Sequence, residues 1–188
     1  DIPALSDLLS ILFTQEAEFK PDDAAQRRGL GMIIGNPQSG AILVAREGTQ
    51  LLGMVNLLFT VSTALGERVA MLEDMVVAPA ARGTGVGSAL LQHAIAFAEE
   101  LGLSLVIVGG RESYLMADVL AQKNIPVILD NPHSLPAYAD EDIAQPYKTP
   151  FQLQQAGVLF CLSIPGGFWQ ERNLAFEAGT AVAYGLTK

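Results

Sequence analysis

The chain has 188 residues, half of them apolar, and 20 Asp and Glu against 11 Lys and Arg give a net charge of −9. That length suits one domain or two small ones, and the acidic balance without a basic cluster argues against non-specific nucleic-acid binding. A single cysteine, Cys161, excludes an internal disulfide framework and points to a reducing compartment, read here as the cytoplasm.

Ile2 to Phe13 carries apolar residues at helical spacing, and Asp22 to Ile34 reads as a second helix with Asp22 or Asp23 near its cap. Gly40 to Arg46 predicts a strand, Glu47 to Gln50 a turn, and Leu51 to Val61 its antiparallel partner. The Leu51–Leu65 run is too short, and too polar at Asn56, Ser62 and Thr63, to span a bilayer, so no membrane segment is expected. No segment reads as a signal peptide, and the start at Asp1 is taken as a trimmed terminus. A further strand, Val69 to Val77, follows.

That strand feeds Val76-Val77-Ala78-Pro79-Ala80-Ala81-Arg82-Gly83-Thr84-Gly85-Val86-Gly87-Ser88 and then an amphipathic helix. Glycines at alternate positions let backbone approach a ligand closely. The helix start presents unpaired N–H groups and the positive end of its dipole, a site for a diphosphate. The spacing is neither G-x-G-x-x-G nor a P-loop. The R-x-x-G-x-G run after V-V-x-P resembles the acyl-CoA-binding signature of the GNAT N-acyltransferase superfamily. The likeness extends back through Leu72-Glu73-Asp74-Met75 and forward to Glu99-Glu100-Leu101-Gly102.

The resemblance implies acetyl-CoA, or another acyl-CoA, as cofactor and a small-molecule or peptide amine as acceptor. The backbone of Met75 and Val77, with Val76 between them, would hold the pantetheine arm. Backbone N–H groups of Arg82, Gly83, Thr84, Gly85, Val86, Gly87 and Ser88 would take the pyrophosphate, and Arg82 could add charge there. Glu73 is the candidate base. Strict alternation would put Glu73 and Asp74 on opposite faces, so that at most one meets the acceptor. Leu8, Phe13 and Phe19 are candidates to line an acceptor pocket, or else core.

From about Ser104 the character changes. Strand Leu105–Val108, helix Ser113–Lys123, strand Ile125–Leu129, a proline-rich loop Asn131–Pro150, helix Phe151–Ala156, strand Val158–Ser163 and helix Asn173–Gly185 are expected. The order implies parallel pairing. Gly110-Arg111-Glu112-Ser113, Lys123 to Leu129, Gln155 to Val158 and Arg172 to Leu186 resemble late βα units of a TIM-barrel amidohydrolase of the imidazolonepropionase-like kind. The chain thus reads as a chimera: residues 1–104 a GNAT-like acyl-CoA-binding region, residues 105–188 a partial amidohydrolase-like fragment. The expected fold class is α/β, antiparallel in the first half and parallel in the second, and an apolar sheet edge left exposed would favour a homodimer.

A metal centre needs several converging imidazole and carboxylate ligands. With His93 mid-helix, His133 in a turn, no His-x-His pair, and Ser163-Ile164-Pro165 where the amidohydrolase family commonly places an aspartate, no metal site is expected. Cys161, in an apolar run, reads as a buried core thiol. Tyr114 is the one tyrosine placed like the GNAT general acid. Three readings stand: an acyltransferase with a compromised acceptor side, a non-catalytic acyl-CoA-binding module, and an inactive amidohydrolase-derived scaffold.

Overall fold

The structure, a computed structural model, describes residues 1–15, 20–63, 65–136, 141–164 and 168–187. Phe19 therefore lies outside the described residues, as does Pro165. The chain divides into two compact units, Asp1–Leu105 and Val106–Lys188.

In the first unit, α1 (Ile2–Gln15) and α2 (Asp23–Gly35) precede β1 (Gly40–Glu47), β2 (Gln50–Ser62) and β3 (Glu67–Val77), and α3 (Val86–Glu100) follows. Asp22 is the cap of α2, its Oδ1 accepting from the Ala25 N–H at 3.0 Å, so one of the orphan donors at that helix start is satisfied. The three strands pair antiparallel in chain order. Both faces of β2 are covered, which is why Met54, Val55, Asn56, Leu57 and their neighbour Gly53 are all buried. One face packs Met54 and Val76 against Leu5, Leu8, Leu9 and Leu30 of α1 and α2, with Phe13 beside them. Leu8 is thus core, and it offers no pocket wall.

The α3 side carries Leu90, Leu91, Ala94, Ile95 and Ala98, spaced as one buried helical stripe. Gly53 makes that approach possible. A methyl group there would stand 2.8 Å from the Val76 carbonyl oxygen and 3.0 Å from Leu90 Cδ1. We expect Gly53→Ala to destabilise the protein by about 1–3 kcal/mol, the usual cost of overpacking, read as a lower denaturant midpoint with an unchanged slope.

The second unit has parallel pairing throughout. It completes β4 (Ser104–Gly109), inside which the division between units falls, and sets β5 (Val127–Asp130) between β4 and β6 (Phe160–Ser163). The α/β class with antiparallel then parallel strands is as the sequence reads. Three local expectations are corrected. The helix at Ser113–Lys123 is a 3₁₀ turn, Ser113–Met116, followed by a short α4, Ala117–Gln122. The loop through Pro150 ends early, because α5 starts at Gln145. Pro146 sits in its first turn, where no N–H is needed, and Pro150 lies inside the helix, fully buried. Cys161 is exposed on β6, not a core thiol. The last helix, α6, is Leu174–Ala183, preceded by a 3₁₀ segment.

Candidate functional site

Between β3 and α3 the chain makes a short 3₁₀ turn at Pro79–Ala81 and then the glycine run. Gly83 and Gly85 stand at φ 73° and 88°, a region only glycine enters freely. Thr84 Oγ1 donates to the Ala81 carbonyl at 2.7 Å, and Arg82 Nε donates to the Val77 carbonyl at 3.2 Å, which ties the loop to the end of β3. Gly85 is the N-cap of α3, and no side chain caps that helix. The first N–H to turn back into the helix is that of Ala89, to the Gly85 carbonyl at 3.0 Å. Val86, Gly87 and Ser88 therefore present their N–H groups outward from the helix end. At Gly87 a methyl would make ordinary contact with Met75 Cε at 3.5 Å and Val77 Cγ2 at 3.6 Å, so packing against the strand does not itself demand glycine here. These residues fit a diphosphate: an uncapped helix start, positive dipole and a backbone without side-chain cover at Gly83 and Gly85.

The acidic end of β3 differs from the alternation expected. Met54 pairs with Val76, but Asn56 pairs with Glu73, so β3 carries one residue more than β2 across that step. This is a β-bulge, and Asp74 within it takes φ 45°. Glu73, opposite Asn56, shares the Asn56 face. Asp74 shares it too, because Asn56 Nδ2 donates to Asp74 Oδ2 at 2.9 Å. Both carboxylates therefore serve one side of the sheet. Burial pushes the Asp74 carboxyl above the ordinary carboxylate range, and the Asn56 hydrogen bond holds part of that rise back. Asn56 is only 3% exposed, and its Oδ1 has no hydrogen-bond partner among the described residues. Sequence reasoning missed Asn56. Its signal was a polar side chain in the middle of an otherwise apolar strand.

In the second unit, Tyr114 is half-buried in the 3₁₀ turn and its hydroxyl donates to Glu141 Oε1 at 3.2 Å. It borders a surface cavity of about 450 Å³ with Asp118, Phe151 and Gln155. His93 is exposed on α3. His133 lies in the loop after β5, its Nε2 2.7 Å from Thr180 Oγ1 and its ring edge-on to Tyr147. Glu177, buried on α6, accepts from the His133 backbone, and burial pushes its carboxyl up. At the ends of β5 and β6, Asp130 pairs with Ser163, whose hydrogen bond offsets part of the burial that pushes the Asp130 carboxyl up. Among the described residues no group of three or more His, Cys, Asp or Glu is placed to hold a metal ion. None of their helices is long and apolar enough to cross a membrane.

The strand with its bulged acidic end, the glycine loop and the uncapped helix start follow one another in an α/β sheet with the residues a diphosphate site would need. The acetyltransferase (GNAT) family model matches residues 2–119, and the chain belongs to that family. The match runs past residue 104, through β4 and Tyr114. Among solved structures, the integron cassette protein HFX_CASS3 from the mobile metagenome of Cole Harbour Salt Marsh is 33% identical. That alignment covers 57% of this chain and 70% of that one, with a TM-score of 0.52. An acetyltransferase of Trypanosoma brucei is 22% identical over 64% of this chain and 84% of its own, with a TM-score of 0.50, a likeness of fold. An amidohydrolase from Thermotoga maritima is 29% identical over 54% of this chain but 26% of its own, with a TM-score of 0.44, which says nothing of shared activity. No curated protein matches the chain.

Proposed function

We propose that the protein transfers an acetyl or other acyl group from acyl-CoA to an amine. The observation that carries this reading is the uncapped start of α3 behind Gly83 and Gly85, in a chain of the GNAT family. The N–H groups from Arg82 to Ser88 would hold the diphosphate, and the backbone from Met75 to Val77 would hold the pantetheine arm as an added strand. Bound acyl-CoA supplies the thioester, at whose acyl carbon the carbon–nitrogen bond forms as the carbon–sulfur bond breaks. Glu73 takes the proton that the ammonium must lose before its nitrogen can attack. Tyr114 is assigned, on resemblance alone, as the proton donor to the departing thiolate.

Isothermal titration with CoA tests the reading, and release of free thiol from acetyl-CoA with a panel of amines tests turnover. Saturable binding with amine-dependent thiol release supports it, and absence of CoA binding overturns it. A second reading, acyl-CoA binding without turnover, is favoured by the hydrogen bond from the Tyr114 hydroxyl to Glu141. It predicts binding with no thiol release. If Tyr114 is the acid, Tyr114→Phe lowers kcat by about 10²–10⁴-fold, the usual contribution of a positioned proton donor, and leaves CoA affinity unchanged. Residues 105–188 are proposed as an amidohydrolase-like fragment serving as scaffold, joined to residues 1–104 as a chimera. A reducing cytoplasmic setting belongs to the same proposal.

A further inference from the structure

The last helix, α6, is apolar on nearly every side. Within Leu174–Ala183 the polar residues are Glu177 and Thr180 alone, and Glu177 is buried. A helix that is hydrophobic all round is normally covered all round. The inner side meets that condition, with Glu177 and Ala181 at 5% and 1% exposure. The outer side does not. It carries Ala175, Phe176, Gly179, Val182 and Ala183, all exposed, with Phe176 at 71% and Val182 at 50%. At 3.6 residues per turn these five fall within an arc of about 120° centred on Gly179. Gly179 itself is not needed by the chain's own fold. It lies inside the helix, and a methyl there would meet nothing within 4 Å, whereas glycine costs a helix interior about 1 kcal/mol relative to alanine.

The outer side is symmetric in size about that glycine: small, large, glycine, large, small, in the order Ala175, Phe176, Gly179, Val182, Ala183. We infer that this face docks a second copy of the chain, α6 against α6, antiparallel about a two-fold axis at Gly179. Helix geometry then sets each large residue beside a small one. Phe176 meets the partner's Ala183, Val182 meets the partner's Ala175, and the two glycines let the backbones approach at the crossing. Self-complementarity of this kind is what an isologous interface requires. Charge favours the same occupant. Each copy carries −9, so two copies repel over most of their surface, but the outer side of α6 has no ionisable residue to oppose its twin. A basic partner would find no carboxylate there to pair with. One pair of ten-residue helices falls short of the about 1,600 Å² of a standard interface, so the dimer is weak and reversible, with a dissociation constant of about 10–100 μM. The inference is independent of the acyl-transfer reading.

The test is sedimentation equilibrium of the whole chain, with reductant to keep the exposed Cys161 as a thiol. The expected result is a reversible monomer–dimer equilibrium that weakens at least tenfold in Phe176→Glu and in Val182→Glu. Both side chains are exposed, so neither variant removes a core contact and both keep the fold. A second measurement locates the axis. In a Cys161→Ser background, Gly179→Cys should form a disulfide-linked dimer under mild oxidation, because the crossing brings the two copies within disulfide reach. His93→Cys, at an exposed position on α3, should not. A monomer at every concentration up to about 500 μM, well above the expected dissociation constant, overturns the inference. A dimer that neither glutamate weakens overturns it as well and moves the interface elsewhere, such as the open edge of β6. Equal cross-linking at positions 179 and 93 would report random collision and count against the two-fold pairing.

Discussion

Ser88→Glu is expected to weaken CoA binding by about 100-fold, or about 2.7 kcal/mol, while leaving the protein as stable as before or slightly more so. The two outcomes have opposite signs for one physical reason. Ser88 is the third residue of α3, exposed, in a helix whose Gly85 cap brings no side chain. A glutamate there meets the positive end of the dipole, a gain of about 0.3–1 kcal/mol, and can reach back toward the cap N–H as in a capping box. The same carboxylate then stands where the diphosphate must lie. At about 4 Å, two unit charges in an environment of effective dielectric near 20 repel by about 4 kcal/mol, enough for the stated loss. Isothermal titration and thermal melting on one preparation check both halves. Undiminished CoA affinity in Ser88→Glu would mean that the amides at this helix end do not hold the phosphates. Ser88→Ala, which adds no charge, should change affinity little.

The loop was legible because its chemistry is local. Glycines at 83, 85 and 87, a proline before them and an amphipathic run after them specify turn, backbone approach and helix within a dozen residues, and both helix and strand stand where the pattern puts them. The face of Asp74 was not legible, because a bulge is a property of two strands. Nothing in Leu72 to Val77 marks an extra residue: there is no glycine, and an aspartate supplies the positive φ. Alternation read along β3 alone therefore separates Glu73 from Asp74, whereas the pairing with β2 brings them together. Proline misled in the same way at α5. Pro146 was read as loop, although a first-turn proline gives up no hydrogen bond. Cys161 shows the limit of hydropathy in parallel strands. An apolar run identifies β6, but a run without polar alternation does not say which residues meet solvent, and β6 is paired on one side only, with β5.

Asp74→Asn is expected to stabilise the fold at neutral pH and to lose that advantage in acid. Burial holds the folded Asp74 carboxyl above its ordinary value, so folding binds a proton at this site. Such a group favours the fold while protonated in both states. Its contribution is lost as pH rises from the unfolded value, about 3.9, through the raised folded one. Asparagine never ionises, keeps an oxygen for the Asn56 N–H, and tolerates the positive φ of the bulge at least as well. The variant should therefore melt higher than the parent at pH 7, with the advantage shrinking as pH falls and vanishing below about pH 4. A melting advantage that persists unchanged at low pH would remove buried charge as its cause.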